Sequence, residues 1–171
     1  MIITRRLSIR RVGVNDWKAI QRIWSDAAKS IYAQFDKPNE TDDWSVSRRI
    51  EKWASFASSN EHLFFAVCLQ DSVIGYIALN QRQESYEIGY CFHSDYHGKG
   101  YATESISAVL EMMNAQGVSR IEAGTALENI PSVNLLLSLG FNQAGTENVS
   151  FYQDAKGNAI VFEGGIYELL L

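Results

Sequence analysis

The stretch from Glu87 to Glu104 limits what this chain can become more than any other part of it. A strand-like run, Glu87-Ile88-Gly89-Tyr90-Cys91-Phe92-His93, enters a loop, Ser94 to Gly100. That loop opens directly into Tyr101-Ala102-Thr103-Glu104 and a helical pattern with Ile106, Val109, Leu110 and Met113 apolar. Gly98 and Gly100 carry no side chain, so backbone there can approach a ligand closely. The first amides of the following helix lack internal partners and carry the positive end of its dipole, an arrangement suited to phosphate oxygens. No Ser or Thr follows Lys99, so this is not a Walker A loop, and the spacing is not GxGxxG. On the residues alone, a tight glycine turn that merely starts a helix stays open.

The flanking pattern is mixed. Ile3, Leu7 and Ile9 alternate with polar residues as an opening strand. Asn15 is placed to cap a helix carrying Trp17, Ile20, Trp24, Ala27 and Ile31; a second helix, Asp43 to Ser58, presents Val46, Ile50, Trp53 and Ala57. Runs at His62–Gln70, Val73–Asn80 and Tyr86–His93 form an antiparallel meander. Gly117 ends the helix after the glycine loop, Ile121, Ala123 and Thr125 form a short strand, and Pro131 and Gly140 bracket the last helix. Strands at Ser150–Gln153 and Ala159–Leu169 close the chain. The predicted architecture is α/β (α+β): a single domain over 1–171, with a mostly antiparallel sheet of about seven strands and four helices.

Composition narrows the function classes. A 46% hydrophobic chain of 171 residues with two Pro is neither disordered nor a low-complexity repeat. Fifteen basic against twenty acidic residues, a net charge of −5, weigh against non-specific binding to nucleic acid or anionic membranes. Arg5, Arg6, Arg10 and Arg11 read as charges on a solvated strand. Apolar clusters such as Leu135-Leu136-Leu137 are too short to span a bilayer, and Met1 to Arg6 does not read as a signal peptide. Cys68 and Cys91 form no CxxC, so neither a disulfide framework nor a zinc site follows and a reducing compartment fits. A cytoplasmic location is expected.

His97-Gly98-Lys99-Gly100-Tyr101-Ala102 resembles the Q/R-x-x-G-x-G/A signature of the GNAT superfamily of N-acetyltransferases. Glu128-Asn129-Ile130-Pro131-Ser132, followed by Ser138-Leu139-Gly140-Phe141, is similar to the superfamily's E-N-x-x-S…L-G-F half, and the order of elements matches along nearly the whole chain. Thr4 to Arg10 and the Ile88-Gly89-Tyr90 strand look most like the subgroup that acetylates ribosomal-protein N-termini (RimJ/RimL-like). The resemblance implies a GNAT fold and acetyl-CoA as co-substrate, without a metal. Gly98, Lys99, Gly100, Tyr101 and Ala102 would surround the pyrophosphate, Cys91, Phe92 and His93 would offer backbone to the pantetheine arm, and Asn129 would touch the cofactor. His97 stands where the family has Gln or Arg, which would make affinity pH-dependent if its side chain took part.

The same resemblance implies Glu87 as general base, since a protonated amine has no lone pair to attack with; Tyr86, Tyr90 and Glu84 are nearby substitutes. The bland reading of Glu87 is a solvated strand residue. The tyrosine that many relatives use as general acid is replaced here by Leu136, which turns attention to Ser132, a residue that could equally be a local backbone partner. His93 and His97 do not make a metal pair, and Cys91 reads as a wall residue rather than a nucleophile. Trp17, Trp24 and Trp53 read as core. The acceptor amine is expected between the first two helices and the fourth and last strands. Tyr32, Phe35 and Trp44 form its wall, and Asp36, Glu40, Asp42 and Asp43 line its rim against Lys37 alone. The expected partners are acetyl-CoA and a peptide N-terminus or small-molecule amine, with a homodimer left open. The rival readings are a small-molecule acetyltransferase (polyamine, amino acid or aminoglycoside) and a non-catalytic acyl-CoA sensor of the same fold.

Overall fold

The computed structural model describes residues 1–171. The predicted opening strand is two strands, β1 (Ile2–Ile3) and β2 (Ser8–Arg11), paired antiparallel. Thr4 makes the turn: its N–H donates to Leu7 O at 2.9 Å and its Oγ1 accepts from Leu7 N–H at 3.0 Å. Then come α1 (Trp17–Ala27), α2 (Asp43–Ser55), β3 (His62–Leu69), β4 (Ser72–Gln81), β5 (Tyr86–Phe92), α3 (Tyr101–Ala115), β6 (Arg120–Ala126), α4 (Ile130–Ser138), β7 (Asn142–Gln153) and β8 (Ala159–Leu170). All strands join one eight-stranded sheet, ordered β1-β2-β3-β4-β5-β6-β8-β7, so the sheet has one strand more than expected. Every pairing is antiparallel except β5 with β6.

Helices cover both faces. β3 is apolar without alternation because each face has a partner. Phe64, Ala66 and Cys68 turn toward Ile20, Ile23, Trp24, Val46 and Ile50 of α1 and α2. Leu63, Phe65 and Val67 turn toward the cluster containing Ile106, Val109, Leu110 and Met113 of α3 and Leu136 of α4. Trp53 stacks on Phe64 at 4.5 Å, and Trp24 Nε1 donates to Tyr76 OH at 3.1 Å.

Several expected boundaries move. α1 stops at Ala27, because Lys29 and Ser30 donate to carbonyls three residues back and tighten the turn; Ile31 lies beyond it, 76% exposed. Asn15 does not cap this helix. It lies in a 3₁₀ turn, Val14–Asp16, whose closing carboxylate is Asp16, which accepts from Gly13 N–H at 2.7 Å and pairs with Arg10 at 2.7 Å. Arg10 is therefore a joint, not a solvated charge. Asp42 caps α2 by accepting from Ser45 N–H at 2.9 Å. That helix ends at Ser55, and Phe56 rather than Ala57 packs inward. β7 begins at Asn142, well before Ser150, because as an edge strand paired only with β8 it has no apolar face to advertise it.

β4 must carry glycine opposite Phe92. A Cβ built on Gly75 would lie 2.2 Å from that ring, and Gly75 and Phe92 are register partners. Gly75→Val should lower unfolding free energy by about 1–3 kcal/mol through overpacking, read by denaturant titration, with native far-ultraviolet dichroism retained.

Candidate active site

β5 and β6 pair only at Tyr86–Ile121 and Glu87–Glu122. Beyond Glu87, β5 continues along β4 and β6 continues along β8, so the sheet opens between them. His93 N–H donates to Ile74 O at 3.0 Å, and antiparallel alternation puts Cys91 on that same side. Backbone groups facing the split are thus those of Tyr90 and Phe92. Of the expected trio Cys91, Phe92 and His93, only Phe92 turns its backbone there, and its carbonyl is taken: His97 Nε2 donates to it at 2.8 Å. The His97 ring is folded onto the strand end and away from the loop amides, which makes it a brace for the loop.

The loop starts with a 3₁₀ turn, Ser94–Tyr96, tied to the end of α1 through Asp26, which accepts from Ser94 N–H at 2.7 Å and Ser94 Oγ at 2.8 Å. Burial pushes the Asp26 carboxyl up, but the Ser94 hydrogen bonds and the nearby imidazoles outweigh it, so it lies below its ordinary range. Gly98 and Gly100 have φ of +69° and +76°, left-handed values that explain both glycines. The backbone N–H groups of Gly98, Lys99, Gly100, Tyr101, Ala102 and Thr103 have no acceptor within the protein. That row of free donors, at the N-terminus of a fifteen-residue helix, fits a pyrophosphate. Lys99 Nζ donates to Asp95 O at 2.7 Å.

Across the split, Asn129 caps α4 by accepting from Ser132 N–H at 3.4 Å, which occupies its side-chain oxygen. Ser132 Oγ and Tyr90 OH share a hydrogen bond at 3.0 Å that joins α4 to β5. Burial raises the Tyr90 phenol, so it keeps its proton at neutral pH. Leu136 is core, 1% exposed.

Glu87, Gly89 and Cys91 share the α1/α2 face of β5. Glu87 pairs with Arg82, whose Nε donates to Oε2 at 2.9 Å, and it lies toward the closed end of the split, apart from Ser132 and Tyr90. Gly89, and Gly124 on β6, are exposed, and a Cβ on either would meet nothing within 4 Å, so the floor between the parted strands is open. Tyr86 OH donates to Asn60 O and turns away from this floor; Glu84 lies in the exposed loop before β5. Phe35 packs on Phe162 at 5.3 Å, and Tyr152 OH donates to Ala33 O at 3.2 Å. The loop carrying Tyr32, Phe35 and Asp36 is therefore clamped by the β7–β8 hairpin, a contribution that the sequence reading missed and that only the aromatic residues near its closing turn could have signalled. Trp44 is 73% exposed at the start of α2, away from these contacts. Of the acidic rim, Asp42 is engaged as a cap and Asp43 accepts from Gln21 Nε2 at 2.7 Å. Burial raises the Asp36 carboxyl, and its charge in turn adds to the raised values of Cys91, Tyr90 and Tyr76.

The sheet order, the split after Glu87 and the glycine loop at its mouth define a GNAT-type α/β protein. A family model described as the acetyltransferase (GNAT) domain matches residues 6–142, and the chain belongs to that family; it is an N-acetyltransferase. It is 30% identical over 149 residues to the uncharacterized N-acetyltransferase YnaD of Bacillus subtilis (strain 168), covering 84% of each chain. Among solved structures it superposes on RimL, described as a ribosomal L7/L12 alpha-N-protein acetyltransferase in complex with coenzyme A. There the TM-score is 0.83 at 13% identity, over 99% of this chain and 97% of that one. The microcin C7 self-immunity acetyltransferase MccE, solved with acetyl-CoA and AMP, gives 0.81 at 15% identity over 98% and 93%.

Burial pushes the Cys91 thiol up to about 12. At pH 8 only about one thiol in 10⁴ is then ionised, which disfavours an acetyl-enzyme. Iodoacetamide should leave Cys91 unmodified at pH 8 in the native protein and label it after denaturation, as read by peptide mass spectrometry. Rapid native labelling would contradict this assignment.

Proposed function

We propose that the protein transfers acetyl directly from acetyl-CoA to a primary amine, the α-amine of a peptide N-terminus. The supporting observation is the row of unpaired amides from Gly98 to Thr103 at the mouth of the split, opposite the Tyr90–Ser132 pair. Those amides bind the pyrophosphate and the Phe92 strand end flanks the pantetheine arm, with Asn129 holding the start of α4 beside it. The acceptor approaches over Gly89 and Gly124, and this open floor suits a chain end more than an enclosed small molecule. The description of RimL as an alpha-N-protein acetyltransferase agrees. The clamped loop of Tyr32, Phe35 and Asp36 offers an aromatic wall and a carboxylate to a cationic amine.

Glu87, held in place by Arg82, takes the proton from the acceptor ammonium through water lying over Gly89. The freed amine attacks the thioester carbon. The N–C bond forms as the C–S bond breaks, and the departing sulfur takes its proton from Ser132, which Tyr90 resupplies. The second proton, lost by the new amide nitrogen, passes through water to restore Tyr90.

The test is free-thiol release with acetyl-CoA across N-terminal peptides, polyamines, amino acids and aminoglycosides. Release with peptides is expected; release only with small amines would favour the small-molecule reading, and binding without release the sensor. Acetyl-CoA at 100 times its Kd should stabilise the protein by about 2.7 kcal/mol in thermal unfolding. Gly100→Val should abolish this shift, because its left-handed backbone rejects a branched residue.

Glu87→Gln should lower kcat by about 10²–10⁴-fold with little change in the Kd of acetyl-CoA, and the deficit should shrink as pH rises and more amine is already neutral. Unchanged turnover at pH 7 would reduce Glu87 to a partner of Arg82.

A further inference from the structure

The N-terminal hairpin reaches across the fold to the glycine loop. Glu104, in the first turn of α3, accepts from Thr4 Oγ1 at 2.6 Å, Arg6 N–H at 2.9 Å and Arg6 Nε at 2.7 Å. Arg6 then uses Nη1 to donate to Lys99 O at 2.9 Å, and its guanidinium lies 4.5 Å from the centre of the Tyr101 ring. Arg6 also approaches Gly100, where a Cβ would stand 3.4 Å from Nη2. One guanidinium thus holds a helix carboxylate, a loop carbonyl and an aromatic face, which only a planar fork can do.

The Lys99 carbonyl shares a peptide plane with the Gly100 N–H. That bond is trans, like every other in the chain, so the two groups point in opposite directions. With the carbonyl fastened to Arg6, the Gly100 amide must face away from Arg6. Gly100, which borders this plane, sits at positive φ, where glycine's freedom would otherwise let the plane turn over. A turned plane would present a carbonyl oxygen where an amide donor had been.

The geometry points to Arg6 and Glu104 as positioning residues for the donor's pyrophosphate: through the Lys99 carbonyl they keep the Gly100 amide aimed at the phosphate. This rests on the reading that the loop takes the pyrophosphate of acetyl-CoA. Burial alone would raise the Glu104 carboxyl, but its hydrogen bonds from Thr4 and Arg6 outweigh that and hold it below its ordinary range, so it is charged at neutral pH.

The experiment is calorimetric titration of the unaltered protein, Glu104→Gln and Arg6→Lys with CoA and with pantetheine, which lacks the pyrophosphate. Both substitutions loosen the fork while Arg6 or its replacement keeps a positive charge. CoA affinity should fall about tenfold in each variant, the scale of one charged hydrogen bond, while pantetheine affinity stays within about twofold. Equal losses for both ligands would mean general destabilisation and overturn the proposal, as would CoA affinity unchanged in both variants; melting temperatures taken alongside register any loss of fold. An unaltered protein that binds CoA no tighter than pantetheine overturns this inference together with the cofactor reading. One that binds CoA tightly but transfers no acetyl overturns the proposed reaction only.

Discussion

The single parallel contact in the sheet ends after Glu87 and Glu122, and nearly everything functional follows from that early end. Each strand is held on its outer side by antiparallel pairing, β5 against β4 and β6 against β8, so neither can bend back to close the gap. A strand edge in the middle of a sheet exposes backbone donors and acceptors that need partners. One comes from the chain itself, since His97 serves the Phe92 carbonyl, and the Tyr90–Ser132 side-chain bond ties the two sides together beyond the last ladder pair. The remaining edge is available to an extended ligand arm. A split sheet with a donor-rich loop at its mouth is already most of a binding site before any catalytic residue is considered.

Much of this was legible from side-chain pattern. The meander was readable because Val, Ile and Phe alternate with turn residues, and the glycine loop because Gly98 and Gly100 punctuate a strand-to-helix passage. Two failures share a cause. The strand from Asn142 to Val149 is polar because it lies at the sheet edge, so periodicity has nothing to detect. Ile31 matched a helical spacing that the chain does not use, since no apolar surface waits for it beyond Ala27. His97 illustrates the other limit. Its place in a motif was visible, but the direction of its ring depends on a carbonyl five residues earlier, which no spacing reveals.

Charge was the least readable layer. The arginines near the N-terminus looked like a solvated strand, yet Arg6 and Arg10 each close a joint between elements, with Glu104 and Asp16 as partners. Asp16 lies below its ordinary range although burial works against it, because the Arg10 and Gly13 hydrogen bonds outweigh the desolvation. Asp26, Asp42 and Asp43 are likewise engaged with backbone or side-chain donors. What remains of the expected rim is Asp36 and Glu40, and burial raises the Asp36 carboxyl, whose charge adds to the raised values of Cys91 and Tyr90. The carboxylates that looked interchangeable in a loop thus separate into structural members and two, Asp36 and Glu40, that no donor engages.

The replacement of a tyrosine by Leu136 has a compensating logic within the proposed reaction. Ser132 and Leu136 lie four residues apart on α4, so they share a face one turn apart. Leu136 points into the core and cannot release a proton, whereas Ser132 stands in the first turn, at the positive end of the helix dipole. A sulfur leaving beside that end gains charge where the helix dipole favours a negative group, so it needs less help from an acid. Serine alone is a poor acid, but its hydrogen bond to a phenol that burial keeps protonated gives it a proton to pass on. Moving the donor one turn toward the N-terminus therefore exchanges acid strength for position, and the split sheet is what brings β5 and α4 close enough to make the exchange work.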